Sequence, residues 1–251
     1  MHRFFLNPES CRGEFLTLEH GEAHHAFDVL RLRPRDQVLV LNGSGDEFRC
    51  EVIAADRHGV RVAVLKTRSI PPPNCRVTLV QAVPKGKLFE SIIQKATELG
   101  VSEIVPLLSE RVVVHLDKDD VTHKTQKWQA VAIEAIKQCG SAWLPRVTSP
   151  LTLQQFAAKA KDTECALVGS LQLNAKHPRE CFVSCLRKYG RVPRSACIWI
   201  GPEGDFTPEE LELIQACGAC PITLGRLVLR TETAAIYCLS ILNYEFSGRR
   251  D

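Results

Sequence analysis

The stretch Ile198-Trp-Ile-Gly-Pro-Glu-Gly-Asp-Phe-Thr-Pro-Glu-Glu-Leu211 decides the fold of this 251-residue chain, because an apolar strand runs in it directly into a glycine loop and a helix. The helix has complete start signals: Thr207 can cap it, Pro208 suits its first position, and Glu210 completes a capping box. Strands that alternate with helices in this way are typical of α/β domains.

A second strand-loop-helix corner follows after one helix. The apolar run Pro221-Ile-Thr-Leu224 leads into a loop from Gly225 to Arg230, and Thr231 begins a helix that runs through Phe246. Two such corners can place two irregular loops side by side, where the loops offer free backbone N–H and C=O groups to a ligand. The pattern therefore predicts a cofactor site in the last third of the chain.

The proline-rich segment Ser69-Ile-Pro-Pro-Pro-Asn74 marks a domain boundary, since it lacks amide donors at three positions and fits neither helix nor inner strand. Residues 1–70 before it contain short β-type runs, a hairpin loop over residues 42–46 and a helix from Gly21 to Leu32, with Ala26, Val29 and Leu30 on one face. The β-type runs are Gln37–Leu41, Glu47–Ile53 and Gly59–Leu65. This pattern predicts a small β-barrel domain.

Residues 75–251 alternate strands and helices, which predicts an α/β domain whose mainly parallel sheet is covered on both faces. The predicted strands are Arg76–Val83, Glu103–Leu107 and Cys165–Gly169, and the predicted helices are Lys87–Leu99, Thr122–Cys139, Leu153–Ala160 and Pro178–Tyr189. The turn after the first strand, Val83-Pro-Lys-Gly-Lys87, has a single glycine, and no Walker pattern occurs. A common dehydrogenase or P-loop enzyme is therefore disfavoured.

Composition describes a soluble globular protein, with 45% apolar and 24% charged residues. No apolar run approaches the roughly 20 residues that span a membrane, and the first residues do not form a signal peptide, so we expect a cytoplasmic protein with no membrane partner. The net charge of +3 means that any nucleic acid must bind a local basic patch.

Eleven cysteines are scattered along the chain, and without a secretory signal they are expected to be reduced thiols, mostly buried. Cys217 and Cys220 have metal-like spacing, and Cys181 and Cys185 lie one helical turn apart. Zinc needs four ligands, and no second close Cys/His pair follows, so no metal site is expected.

Several motifs together resemble the SPOUT-class family of ribosomal small subunit 16S rRNA (uracil-N3)-methyltransferases. The two loop motifs carry the strongest resemblance, and matches to the family along the rest of the chain support it. These motifs are Gly201-Pro-Glu-Gly204, Leu224-Gly225, Leu229-Arg-Thr-Glu-Thr233, Met1-His-Arg-Phe-Phe5, His24-His25, Val29-Leu-Arg-Leu32, Ile93-Gln-Lys-Ala-Thr-Glu-Leu-Gly-Val101, Ser109-Glu-Arg111 and Trp128.

The resemblance implies a PUA-like β-barrel that binds RNA, followed by an α/β methyltransferase domain with a trefoil knot. It also implies S-adenosyl-L-methionine as the cofactor, a homodimer as the active unit, and a uridine in the 16S rRNA of the small ribosomal subunit as the substrate, methylated at ring N3. Two alternatives stay open: a SPOUT methyltransferase for another position, such as a ribose 2′-hydroxyl or a tRNA, and a non-catalytic RNA-binding or assembly factor.

The site residues follow from the two loops and this resemblance. Arg230 is the candidate that stabilises negative charge on the uracil ring, and Glu232 can accept the N3 proton or orient Arg230. The candidate cofactor-binding residues are Gly201, Pro202, Glu203, Gly204, Leu224, Gly225, Leu229, Thr231 and Thr233. The candidate phosphate contacts are Arg3, His24, Arg31 and Arg33, with Lys85, Lys87 and Arg111 as further basic residues near strand ends.

Three departures from the family pattern affect the expected cofactor affinity. Asp205 stands where family members usually carry glycine, and its carboxylate adds charge beside the cofactor. The second loop lacks a proline that is common in the family, and the strand end Val168-Gly-Ser-Leu-Gln172 lacks an acidic residue that is often present there.

Overall fold

The computed structural model describes residues 1–56, 59–112, 118–158, 160, 163–172 and 175–246. The chain forms two compact units. The first contains Met1–Pro72 together with Ile133–Leu144, and the second contains Pro73–Ala132 and Pro145–Asp251. One long helix, α3 (Lys118–Cys139), therefore contributes residues to both units.

The first unit is built on a five-stranded sheet with the strand order β1-β3-β4-β5-β2. Its strands are β1 (His2–Phe5), β2 (Phe15–Leu18), β3 (Gln37–Leu41), β4 (Asp46–Ala55) and β5 (Val60–Ser69). β1 pairs with β3 in parallel, and the other neighbours are antiparallel. Alternate residues such as Phe4, Val38 and Val62 form a buried core on one face, as half-buried strands require. Sequence reasoning from periodicity missed the short strand β2.

The predicted helix in the first unit is shorter and less regular than expected. α1 (His20–His24) continues as a π-helical turn (His25–Val29), and Arg31 then adopts a positive φ of 52° that ends the helical path. The π-turn departs from the 3.6-residue period of an α-helix, and within it Ala26 is buried but Val29 is 59% exposed. The expectation that Val29 lies on the buried face is therefore wrong.

The second unit contains a sheet in which every ladder is parallel, with the strand order β12-β10-β11-β6-β7-β8 and a further pairing of β9 with β7. Its strands are β6 (Arg76–Ala82), β7 (Glu103–Leu108), β8 (Arg146–Val147), β9 (Leu151–Thr152), β10 (Cys165–Gly169), β11 (Ser195–Ile200) and β12 (Cys220–Ile222). Parallel strands bring all their carboxyl ends to one edge, where ligands of open α/β sheets bind.

Helices connect these strands, and the predicted α/β class is confirmed. They are α2 (Leu88–Glu98), α3, α4 (Leu153–Ala157), α5 (Pro178–Tyr189), α6 (Pro208–Ala216) and α7 (Thr231–Phe246). The capping box of α6 is present: the Thr207 side chain accepts a hydrogen bond from Glu210 N, and the Glu210 carboxylate accepts one from Thr207 N. The two-residue strands β8 and β9 carry too little pattern to be recognised in the sequence.

Aromatic packing beneath the sheet fixes the loop after β11. Trp199, in the middle of the sheet, is 1% exposed and meets the Phe156 ring edge-on at 4.9 Å. Phe206 and Leu211 join the same buried cluster. The loop is therefore anchored on both sides, by the strand before it and by the cluster that receives Phe206.

The expectation that all the cysteines are reduced thiols is wrong for two of them. Cys181 of α5 and Cys220 at the start of β12 form a disulfide, with Cα atoms 6.9 Å apart and a sequence separation of 39. The fold packs α5 against β12 and so brings together two cysteines whose spacing gave no sign of pairing. Cys220 is therefore not a free partner for Cys217, and no group of three or more potential metal ligands occurs among the residues that the structure describes. In the same residues, no helix is long and apolar enough to cross a membrane.

Candidate functional site

A cavity of about 590 Å³ opens at the carboxyl ends of β10, β11 and β12. Three segments form its walls: residues 169–172 at the end of β10, residues 200–203 and 205 at the end of β11, and residues 223–232 between β12 and the start of α7. Leu88 at the start of α2 completes it. The two loops singled out in the sequence therefore lie on one cavity, together with the strand end whose missing acidic residue was noted above.

A buried hydrogen bond joins the two predicted loops. The Thr231 hydroxyl, at the start of α7, donates to the carbonyl oxygen of Gly201 at 2.8 Å. Thr231 is only 6% exposed, so water competes little for this bond. The first turn of α7 is thereby held against the end of β11.

Two glycines serve the cavity for different reasons. Gly225 has φ of 114°, a conformation that side-chain-bearing residues rarely adopt. Gly201 has no positive φ, but a Cβ there would lie 3.1 Å from Asp205 Oδ1 and 3.3 Å from the Phe206 nitrogen. Gly225 is required by the turn, and Gly201 by the close approach of the chain to itself.

Most of the predicted cofactor-binding residues line the cavity. Those that do are Gly201, Pro202, Glu203, Leu224, Gly225, Leu229 and Thr231. Gly204 and Thr233 are exposed outside the lining. The Gly204 carbonyl instead accepts a hydrogen bond from Arg111 Nη1, which fixes the outer side of the loop.

The backbone of the second loop is open to a ligand. In the chain segments that the structure describes, no hydrogen bond engages the backbone N–H groups of residues 226–229. Leu227 and Val228 in this segment are 79% and 76% exposed. A loop with free amides and exposed apolar side chains is suited to bind a partly apolar ligand or a protein surface.

Arg230 and Glu232, the predicted catalytic pair, both line the cavity. Arg230 is exposed and Glu232 is half-buried. Within the described part of the chain, neither side chain forms an ion pair or a hydrogen bond, including one to the other. The guanidinium and the carboxylate are therefore both available to a substrate at the mouth of the cavity.

The charges around the cavity are mixed. Glu203, Asp205 and Glu232 contribute carboxylates, and Arg226 and Arg230 contribute guanidinium groups. Glu203 also lies 3.4 Å from the backbone nitrogen of Lys85, which belongs to the loop after β6. Such a wall complements a ligand that carries both positive and negative groups.

Gln81 is a buried polar residue near this site that sequence reasoning missed. It is fully buried at the end of β6, and its Nε2 donates to the Thr231 hydroxyl at 2.9 Å. The available signal was a single amide side chain within the apolar run of β6. Sequence reasoning also overlooked several lining residues: Leu88, Ile200, Thr223, Arg226, Leu227 and Val228.

The candidate phosphate contacts lie in the first unit, in different environments. Arg3 Nη1 donates to the carbonyls of Lys137 and Gln138, at 3.2 and 2.9 Å, and so caps the end of α3. His24 Nδ1 lies 2.7 Å from Asp28 Oδ2. Arg31 and Arg33 are exposed. Three of the four side chains are therefore exposed to solvent over residues 24–33, while Arg3 also has a structural contact.

Comparison with known protein families gives two matches. Residues 71–243 match the family model described as an RNA methyltransferase domain, and residues 18–65 match the model described as an RNA methyltransferase PUA domain. The first match covers most of the second unit and also spans residues 133–144, and the second match lies within the first unit.

Individual relatives match over nearly the full length. The ribosomal RNA small subunit methyltransferase E of Synechocystis is 33% identical over 96% of this chain and 77% of the relative. A putative methyltransferase from Legionella pneumophila, solved in complex with the cofactor SAM, superposes with a TM-score of 0.85 at 32% identity, covering 96% of each chain. Ribosomal RNA small subunit methyltransferase E from Neisseria gonorrhoeae, bound to S-adenosyl methionine, gives 0.83 at 25% identity and covers 97% of each chain.

Proposed function

Since the chain belongs to the ribosomal RNA small subunit methyltransferase E family, we propose that it catalyses the S-adenosylmethionine-dependent methylation of ring N3 of a uridine in 16S rRNA. The observation that carries this proposal is the single cavity that collects both loops of the family pattern, with Arg230 and Glu232 on its wall. A small-subunit rRNA substrate agrees with an enzyme that works in the cytoplasm.

The cavity fits S-adenosylmethionine in size and in chemistry. About 590 Å³ lies within the usual range of small-molecule sites. Ile200, Leu224 and Leu229 offer apolar surface to a flat adenine ring, and the backbone of residues 226–229 offers free amides. The carboxylates of Glu203 and Asp205 complement the positive charges of the sulfonium and the amino group. We assign these residues to cofactor binding.

When bound, S-adenosylmethionine supplies a methyl group that its sulfonium sulfur has already activated. The uracil N3 must lose its proton, and negative charge develops on N3 and on the flanking carbonyl oxygens. Arg230, always protonated and free of other partners among the described residues, stabilises that charge. In this proposal Glu232 accepts the N3 proton, and its carboxylate is available to do so because it forms no ion pair among the residues that the structure describes.

The first unit supplies RNA binding in this proposal. His24, Arg31 and Arg33 present exposed basic groups within one short segment that can contact phosphates. Nη1 of Arg3 caps α3, and its Nε and Nη2 form no hydrogen bond among the described residues, so in this proposal they can contact a phosphate. Because the net charge is only +3, these contacts act through local placement.

We also propose a homodimer and a knotted methyltransferase domain, as the family resemblance implies. Tyr237 and Tyr244 of α7 are 43% and 82% exposed, and Leu227 and Val228 add exposed apolar surface in the same unit. Exposed apolar groups of this size are typical of association surfaces. Light scattering at micromolar concentration tests the dimer: Tyr244→Glu should shift the mass towards the monomer, and a monomeric wild-type protein would contradict it.

Primer extension on small subunits from cells that lack this protein tests the reaction. Methylation at N3 blocks Watson–Crick pairing and stops reverse transcription, so the stop should be absent without the protein and restored when purified protein and S-adenosylmethionine are added. An alkali-stable dinucleotide product would instead identify ribose 2′-O-methylation. Calorimetry that detects no S-adenosylmethionine binding would favour a non-catalytic RNA-binding or assembly factor.

A further inference from the structure

Gln81 lies on β6, in the central part of the sheet, directly beside residues that line the cavity. Its partner in β11 is Ile200, the residue before Gly201, so its side chain starts level with the beginning of the first loop. Nε2 donates to the Thr231 hydroxyl and to the carbonyl of Ala82, each at 2.9 Å. Gln81 thus connects β6 with the first residue of α7.

The donor and acceptor roles at the Thr231 hydroxyl depend on Gln81. A hydroxyl has one proton to donate, and Thr231 donates it to the Gly201 carbonyl at 2.8 Å. It can do so because Gln81 reaches it with a donor, the Nε2 amide, and leaves the hydroxyl proton free. An acceptor at position 81 would compete for that proton and leave Gly201 without its donor.

A purely structural role explains Gln81 poorly. Its Oε1 atom is buried and has no hydrogen-bond partner among the residues that the structure describes. An unpaired buried acceptor opposes folding, and an apolar residue of similar size would avoid that penalty. Groups of this kind are more frequent at functional sites than in ordinary cores.

We propose that Gln81 is a positioning residue for methyl transfer, which acts through Thr231 to hold the two cavity loops in one register. This inference rests on the proposed function. Arg230 precedes Thr231 and Glu232 follows it, so a shift of the Thr231 hydroxyl moves both predicted catalytic side chains. Misplacement by about 1 Å can cost roughly a hundredfold in rate. The relay Gln81–Thr231–Gly201 therefore affects catalysis more than cofactor affinity.

The decisive variants are Gln81→Met, which removes the donor at similar length, and Gln81→Glu, which replaces it with an acceptor. We expect single-turnover methylation of small subunits to fall by about tenfold or more in Gln81→Met, and further in Gln81→Glu. The dissociation constant of S-adenosylmethionine, measured by calorimetry, should change less than the rate. The melting temperature of Gln81→Met should stay near that of the wild type. Thr78→Val is the matched control, because Thr78 lies on the same strand and is partly exposed.

Thr231→Val interrupts the relay at its middle residue by removing the Thr231 hydroxyl. If the relay acts as a unit, the double variant Gln81→Met/Thr231→Val loses no more activity than Thr231→Val alone, and Thr231→Ser loses less than Thr231→Val. Additive losses would overturn the proposal. So would a Gln81→Met protein with the wild-type rate, or a collapse of stability in both single variants, which would make the relay a structural feature only.

A measurement without ligand separates this inference from the proposed function. Hydrogen exchange of the ligand-free protein should become faster when Gln81 is changed to Met, at the hydrogen-bonded amides that close the two loops: Asp205 and Phe206 in the first, and Ala234 just after the second. Exchange at these amides should be unchanged with Thr78→Val. If wild-type protein fails to methylate small subunits, the proposed function falls, and the exchange result still decides the relay. Unchanged exchange in both loops would refute the relay even in an active enzyme.

Discussion

The Asp205 carboxylate turns back towards Gly201, so that its Oδ1 would lie 3.1 Å from a Cβ placed on the glycine. The same oxygen accepts a hydrogen bond from Phe206 N at 2.8 Å. Asp205 therefore closes the loop after β11, and a Cβ at position 201 would require Asp205 and Phe206 to shift by a few tenths of an ångström. The chain can pass this closely to itself at the cavity wall because the residue is glycine.

Gly201→Ala is expected to weaken S-adenosylmethionine binding by at least about tenfold, because the new methyl group must displace Asp205 and the Phe206 backbone. Calorimetric titration of the ligand-free variant with S-adenosylmethionine measures this dissociation constant directly. Gly204→Ala is the matched control: among the described residues a Cβ there meets the Arg111 side chain alone, at 3.4 Å from Cδ and 3.9 Å from Cβ, which are ordinary contacts. If Gly204→Ala weakens binding as strongly, Gly204 belongs to the cofactor site, as the sequence motif predicts, and the steric argument for Gly201 loses its support.

Asp205 adopts a positive φ of 59°, where a glycine is usual in the family pattern. Asp205→Ala should lower the free energy of unfolding by about 1 kcal/mol, because alanine tolerates this conformation less well and lacks the acceptor for Phe206 N. Asp205→Asn keeps both features and should stay close to the wild type. Urea unfolding measures the difference, and equal stability of the two variants would contradict this account of the turn.

Arg230→Ala should reduce methyl transfer by about a hundredfold to a thousandfold, the usual cost of losing one group that stabilises developing charge. The dissociation constant of S-adenosylmethionine should change little. Arg230→Lys should recover only part of the activity, because an ammonium group lacks the planar fork of guanidinium. Arg226→Ala, in the same loop and also on the cavity wall, is the control for the general loss of positive charge. A fully active Arg230→Ala would remove Arg230 from the mechanism.

Much of the second unit could be predicted from sequence because its signals are local. Periodicity and caps predicted α5 and α7 at the bounds that the structure has, and the capping box Thr207–Glu210 is present as predicted. The joint position of the two loops on one cavity also followed from order alone, since parallel strands end at the same edge.

What escaped prediction depends on contacts that are distant in sequence. Gln81 meets Thr231 across 150 residues, and Cys181 meets Cys220 across 39. No periodicity or spacing carries such a pairing. The π-turn in which Val29 is exposed is local, but it is followed by a left-handed residue, Arg31, of a type that seldom adopts this conformation. Local chemistry therefore predicted the elements and their loops, and tertiary packing determined how individual side chains pair.

Glu164 gives the second unit a pH-dependent contribution to stability. The Arg191 guanidinium holds its carboxylate by two hydrogen bonds, at 2.8 and 2.9 Å, and Arg194 N donates a third at 2.7 Å. These donors, Arg191 first, lower the pKa of Glu164 from 4.5 to about 2. A carboxyl group whose folded pKa is lowered stabilises the fold fully above its unfolded pKa, and this stabilisation is lost as pH falls through its folded pKa.

The contribution of Glu164 should therefore be complete above pH 4.5 and disappear as the pH falls towards about 2. Urea unfolding of the wild type and of Glu164→Gln should give a stability difference that shrinks across this window, because glutamine cannot titrate. Glu212→Gln, which changes an exposed carboxylate of α6, controls for the general effect of removing one negative charge. A difference between wild type and Glu164→Gln that stays constant from pH 5 to pH 2 would show that Glu164 titrates alike in the folded and unfolded chains, and that its bonds to Arg191 add no stability that depends on ionisation.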